Sequence, residues 1–216
     1  MVQPSPASRK PPAIPTPPRR EGRFTVIMSF LARVVPDFRA ASVLEISPSF
    51  LREQQIRALL LDVDNTLVPW HGEIATPEVH EWVAGLSAEG VGMCLLSNTH
   101  RKRRLQMLGE ALGIHYVLGG GKPLRRGFLH ALERLQARPE ETAMVGDQLL
   151  TDILGGKRCA LRTILVDPIS SHEFWGTRVV HRSVERILFR TLDRRGVRIA
   201  PIAGVERVSA GKGSNR

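Results

Sequence analysis

Leu59-Leu60-Leu61-Asp62-Val63-Asp64-Asn65-Thr66-Leu67 decides how this chain is read, because it delivers two carboxylates directly off the end of an unbroken apolar run. A run such as Ala58 to Leu61 predicts a strand covered on both faces, as in a parallel sheet. Ligands of open α/β sheets collect at the carboxyl ends of such strands, where Asp62 and Asp64 fall. Two anions so close repel each other unless a proton or a cation lies between them. A hard divalent cation such as Mg²⁺ meets that need. A plainer reading stands beside it, since an Asp can also close a turn or cap a helix. A calcium loop is set aside: Leu67 stands where the EF-hand turn needs Gly, and no helix precedes the run.

Outward from this run, the 216 residues, 42% of them hydrophobic, suffice for one core with tails and leave no room for a second catalytic domain. No apolar run approaches the roughly 18–20 residues that span a bilayer, and the Pro-rich start is no signal peptide. The expectation is a cytoplasmic protein, soluble or peripheral on the inner face of a membrane. Cys94 and Cys159 are the two cysteines, each among apolar or small residues, and read as inert thiols in a reducing compartment. The net charge of +10 sits at the ends. Residues 1–23 hold five Lys/Arg against one acid, residues 178–216 hold ten against three, and the stretch between has 16 against 17. Basic ends suit a polyanion, whether nucleic acid or anionic lipid, and equally suit solvated tails.

Residues 1–23, with Pro at 4, 6, 11, 12, 15, 17 and 18, predict a disordered basic tail. A transit peptide is an alternative, against which the Pro density argues. Phe24 to Val35 predicts an apolar-faced helix stopped by Pro36, either packed on the core or lying at an interface. Alternation then sets in, with strands near 57–62, 91–96, 142–146 and 162–166 and helices near 77–89, 100–112, 124–137 and 149–158. That is the βαβ pattern of a parallel sheet. Gly90, Gly113 and Gly155 or Gly156 are read as helix ends, Ile114 to Leu118 as a short strand and His181 to Arg195 as a terminal helix. One domain over 24–195 follows, with a flexible basic tail over 196–216.

Later strand ends carry partners for the Asp pair. Val91 to Leu96 leads into Ser97-Asn98-Thr99, a helix cap or, through backbone N–H groups, a phosphate site. Ala143 to Val145 leads into Gly146-Asp147-Gln148-Leu149-Leu150-Thr151-Asp152. Gly121-Lys122-Pro123 puts a lone cation just before a helix, an unfavourable place unless an anion is bound there.

The ordered set Asp-x-Asp, Ser-Asn, Lys-Pro and Gly-Asp-x₄-Asp resembles the four signature motifs of the haloacid dehalogenase (HAD) superfamily of phosphotransferases. Ser42-Val43-Leu44-Glu45-Ile46-Ser47-Pro48, Asp-Val-Asp-Asn-Thr-Leu and Gly146 to Ile153 are similar to the YqeG-type phosphatases of HAD subfamily IIIA, a group that includes organellar phosphatidylglycerophosphate phosphatases. The resemblance covers roughly residues 30–195. It implies a three-layer Rossmann-like α/β fold around a parallel sheet. It also implies Asp62 as nucleophile, Asp64 as general acid and base, and Mg²⁺ held by Asp62, the main-chain carbonyl of Asp64, and Asp147. Ser97, Asn98 and Lys122 would bind the substrate phosphate, with Thr66 and Asp152 in support. Neither gap between motifs admits a cap domain, so the site should be open, as suits a phosphate on a large body or at a membrane surface. The implied activity is hydrolysis of phosphatidylglycerophosphate in phospholipid biosynthesis. Alternatives are a protein or small-molecule phosphatase, or a nucleic-acid- or ribosome-associated module; few aromatics and no RNA-binding motif count against the last. Arg101-Lys102-Arg103-Arg104 is read as a solvated helix face or a second phosphate site. The same holds for Arg178, His181, Arg182 and Arg186. Gly119-Gly120-Gly121 is read as a flexible turn, and Trp70 and His71 as a surface hairpin that can touch substrate.

Overall fold

The computed structural model describes residues 34–170 and the backbone of 200–201. Its strands are β1 (Phe38–Ala40), β2 (Ala58–Leu61), β3 (Gly92–Leu96), β4 (His115–Val117), β5 (Thr142–Gly146), β6 (Arg162–Val166) and β7 (Ala200–Pro201). They lie in the order β4-β3-β2-β5-β6-β1-β7. Every pairing is parallel, with Leu61 of β2 level with Leu95 and Val145 of its neighbours. The first motif therefore emerges from the middle of the sheet.

Alternation along each strand builds the layers. Leu59, Leu61, Met93, Leu95, Ala143 and Val145 enter one core, and Leu60, Cys94, Leu96 and Met144 enter the other. Helices α1 (Pro48–Glu53), α2 (Pro77–Ala88) and α3 (Lys102–Leu112) cover the first face through residues such as Phe50, Val83 and Leu108. Helix α4 (Arg125–Leu135) covers the second through Phe128, Ala131 and Leu132. This is the expected three-layer α/β fold. Local signals set its helix ends: Ser47 accepts from Phe50 N–H with Pro48 behind it, and Gly113 closes α3 at φ 68°.

The helix expected over 149–158 is divided. Leu149–Ile153 forms a π-helical turn and α5 is Leu154–Arg158. Gly155 and Gly156, read from sequence as a helix end, lie inside α5 instead. A Cβ on Gly155 would fall 2.4 Å from the Phe128 ring, so the missing side chain permits helix contact and does not stop the helix. β1 gave no sequence signal, because three residues are too few to show a period.

Of the Phe24–Val35 stretch, Val34 and Val35 are described, and Val34 is buried against Leu149, Ile153 and Leu165. The tail expected over 1–23, the helix expected over His181–Arg195 with Arg178, and the tail expected over 196–216, apart from Ala200 and Pro201, lie outside the described residues. Among the described residues no helix is long and apolar enough to cross a membrane. Cys94 and Cys159 are free and buried, and burial pushes the Cys94 thiol up to about 12, far from a reactive thiolate.

Candidate active site

Parallel pairing sends the chain out of β2, β3 and β5 along one edge, and that edge collects the motif residues. Asp62 follows β2 and is buried. Lys122 Nζ lies 2.5 Å from Asp62 Oδ1 and 2.7 Å from Asp152 Oδ1, and none of the three side chains is more than 7% exposed. Carboxylate oxygens of Asp62, Asp147 and Asp152, all buried, lie within 4.8 Å of one another. The hydroxyl of buried Thr66 donates to Asp147 Oδ1 at 3.4 Å, and Gln148 N–H donates to Asp152 Oδ2 at 3.1 Å. Gly146 makes the approach of Asp152 possible, since a Cβ there would fall 2.3 Å from Asp152 Oδ2.

Ser97 is buried at the end of β3, its hydroxyl accepting from Thr99 N–H at 3.1 Å in a local turn. Asn98, expected at the substrate phosphate, lines the pocket at this edge and has its side chain engaged by the Lys122 main chain. Its amide donates to Lys122 O at 2.9 Å and accepts from Lys122 N–H at 2.7 Å, so the side chain braces the Lys122 loop. In the Gly119-Gly120-Gly121 turn only Gly120 is buried, and Gly119 and Gly121 are exposed. Gly119 and Gly121 have φ of 68° and 60°, Gly120 N–H donates to Ser97 O, and a Cβ on Gly127 of α4 would overlap Gly120 O at 1.9 Å.

The carboxylate of Asp64 lies outside the Asp62–Asp147–Asp152 cluster and turns toward α3, where Arg104 Nη2 is 2.9 Å from its Oδ1. Arg104 is buried, so the sequence reading of the whole Arg101–Arg104 run as a solvated face or second phosphate site fails for this residue. Helical spacing held the signal, since Arg104 stands four residues before buried Leu108 and eight before Leu112, on the inward stripe of α3.

Burial pushes the Asp62 carboxyl up to about 7; the Lys122 charge opposes this and Asp152 adds to it. Burial acts to lower the Lys122 ammonium, and Asp152 and Asp62 outweigh it, holding the lysine charged. The all-oxygen donor set of Asp62, Asp147 and Asp152 fits a hard divalent ion. The cluster could bind such a metal, and an ion there would favour the ionised form of Asp62.

Above these groups is a pocket of ≈ 410 Å³ whose lining includes Asp62, Asp64, Ser97, Lys122, Trp70 and His71. Between β2 and α2 there is only the loop 62–76, and between β3 and Lys122 only α3, β4 and their turns. No cap covers the pocket among the described residues.

A family description of haloacid dehalogenase-like hydrolases matches residues 70–160. "Probable phosphatase YqeG" of Bacillus subtilis is 36% identical over 162 residues, spanning 75% of this chain and 93% of that protein. Ribulose-1,5-bisphosphate 5-phosphatase of Halopiger xanaduensis is 34% identical over 100 residues, 43% of this chain and 42% of that protein. Among solved structures, the cobalt-bound deoxy-D-mannose-octulosonate 8-phosphate phosphatase of Haemophilus influenzae superposes with a TM-score of 0.44 at 18% identity, over 54% of this chain and 70% of that one. Fold, site and sequence relationship together define a phosphatase of the HAD superfamily, and within it the chain belongs to the YqeG type.

Proposed function

We propose that the protein is a Mg²⁺-dependent phosphomonoesterase that works through an aspartyl phosphate on Asp62, with phosphatidylglycerophosphate as substrate. The observation that carries the chemistry is the buried Lys122 ammonium between Asp62 and Asp152 at the floor of an open pocket. A carboxylate oxygen of Asp62 attacks phosphorus in line, the ester P–O bond breaks, and the departing alkoxide takes a proton from Asp64. Asp64 then removes a proton from water, which attacks the acyl phosphate and releases inorganic phosphate and free Asp62. Lys122 donates to Asp62 and pairs with Asp152 at 2.7 Å, so at least one of its three N–H groups is left for a phosphoryl oxygen in the transition state. Ser97 offers a second donor to that phosphate, while Asn98 holds Lys122 in place. Asp62, Asp147 and the main-chain carbonyl of Asp64 would hold Mg²⁺, with Thr66 and Asp152 in support; when bound, the ion supplies charge that offsets the repulsion between Asp62 and the phosphate.

What supports a membrane-borne substrate is a set of exposed apolar and cationic side chains on the loops and helix starts that follow the sheet edge. Trp70 lines the pocket at 39% exposure, and Leu118 and Leu124, which are outside that lining and follow β4 and precede α4, are exposed. Arg101, Lys102, Arg103, Arg125 and Arg126 are exposed at the starts of α3 and α4, which have no acid in their first turns. Apolar side chains among cations suit an anionic lipid surface, and a peripheral position on the inner face of the membrane follows. Phosphate release from phosphatidylglycerophosphate in mixed micelles, compared with soluble sugar and nucleotide phosphates, tests the substrate. Preference for the soluble esters would leave the chemistry standing and overturn the lipid assignment. Full activity in Asp62→Asn would overturn the chemistry.

A further inference from the structure

In the run Arg101-Lys102-Arg103-Arg104, the first three side chains are exposed and the fourth is buried. A long arginine at the first turn of a helix ordinarily reaches solvent, both because its stem allows it and because the helix dipole disfavours a cation there. Arg104 turns inward and spends its guanidinium on two groups. Nη2 lies 2.9 Å from Asp64 Oδ1, Nη1 donates to Asp64 Oδ2 at 3.3 Å, and Nε donates to the Gly72 carbonyl at 2.7 Å. His71 N–H donates to Asp64 Oδ1 at 3.3 Å from the other side of the same turn. His71 has φ of 60°, a left-handed conformation that a non-glycine residue holds when its surroundings fix it.

We propose that Arg104 is a positioning residue: its fork sets the rotamer of Asp64 and ties that carboxylate to the Pro69–Gly72 turn carrying Trp70 and His71 at the pocket mouth. This rests on the phosphatase reading with Asp64 as general acid and base. The guanidinium contacts both carboxylate oxygens, Nη1 through a hydrogen bond and Nη2 through a close ion pair, while Nε is anchored on the Gly72 carbonyl, so it constrains the plane of the group as a single ammonium cannot. Asp64 keeps 16% of its side chain exposed to the pocket, so the fork orients it without covering it. Misplacing a proton donor by about 1 Å costs on the order of 100-fold in rate.

The test compares an alkyl phosphate, whose leaving group needs a proton, with 2,4-dinitrophenyl phosphate, whose leaving group does not. The constant kcat/KM is read at saturating Mg²⁺, because it ends with formation of the aspartyl phosphate and excludes the later hydrolysis. Arg104→Lys and Arg104→Gln should lose about 10- to 100-fold on the alkyl ester and less than about threefold on the dinitrophenyl ester. In an Asp64→Asn background Arg104→Lys should cost nothing more. Amide hydrogen exchange over residues 68–75 should rise in the Arg104 variants. Equal losses on the two esters, additive losses in the double variant, or unchanged exchange in folded Arg104→Lys would overturn the proposal. A wild-type protein inert toward both esters would overturn the functional reading itself, and this inference with it.

Discussion

Replacing Lys122 by Met removes an ammonium from between two buried carboxylates while nearly keeping the side chain's length. The ammonium lies 2.5 Å from Asp62 and 2.7 Å from Asp152, and those side chains are 7% and 0% exposed, so water cannot take its place without opening the core. Removing one partner of a buried pair costs about 3–5 kcal/mol, because the remaining charge is left desolvated. With a urea dependence of about 2 kcal/mol/M for a domain of this size, the midpoint should fall by about 2 M in chelator at pH 7.5. Protonation relieves the repulsion, so the deficit should shrink as the pH drops below 7. A divalent ion replaces part of the missing charge. At 100 times its dissociation constant it adds about 2.7 kcal/mol, and Mg²⁺ should raise the variant's midpoint by about 1 M. Urea unfolding followed by circular dichroism, with and without Mg²⁺, reads all three effects. A Lys122→Met midpoint within about 0.3 M of the wild type in chelator would mean that these carboxylates are hydrated or already neutral, against the buried charge pair.

Gly146→Ala should lower phosphatase activity at least tenfold and cost about 1–3 kcal/mol, because the new methyl would displace Asp152 from Lys122; wild-type turnover in this variant would contradict the close approach. In chelator, the stability of the wild type relative to Asp62→Asn should fall between pH 4 and 7. The sign follows from the raised carboxyl: the folded protein binds this proton more tightly than the unfolded chain, so the contribution is whole below the ordinary value of 3.8 and is lost as the pH passes about 7. Urea midpoints across that interval that rise for the wild type relative to the variant would give the opposite sign.

β2, β3, β5 and β6 were legible because each is a short apolar run buried on both faces, and their common direction follows from helices between them. Motif residues immediately after such strands must share an edge, so strand pattern alone gathers Asp62, Ser97 and Asp147. β1 escaped because its three residues depend on pairing with β6 and carry no period of their own. Gly155 and Gly156 misled because a missing side chain serves a helix end and a close packing contact equally well, and only the positions of Phe128 beside Gly155 and of Thr163 and Met144 beside Gly156 separate the two.

Asn98 and Arg104 mark the boundary more sharply. An amide after a strand and an arginine in a basic run have several partners available locally, and nothing within ten residues says which is chosen. Asn98 takes the main chain of Lys122, 24 residues away, and Arg104 takes Asp64, 40 residues away. The sequence alone determined the kind of chemistry, since strand ends bearing carboxylates, a hydroxyl and a lysine need only be counted and ordered. The tertiary structure decided which of these groups touch, because contact depends on strand order and helix rotation. Those are set by how the two apolar faces of the sheet are covered, and no stretch of local sequence carries that information.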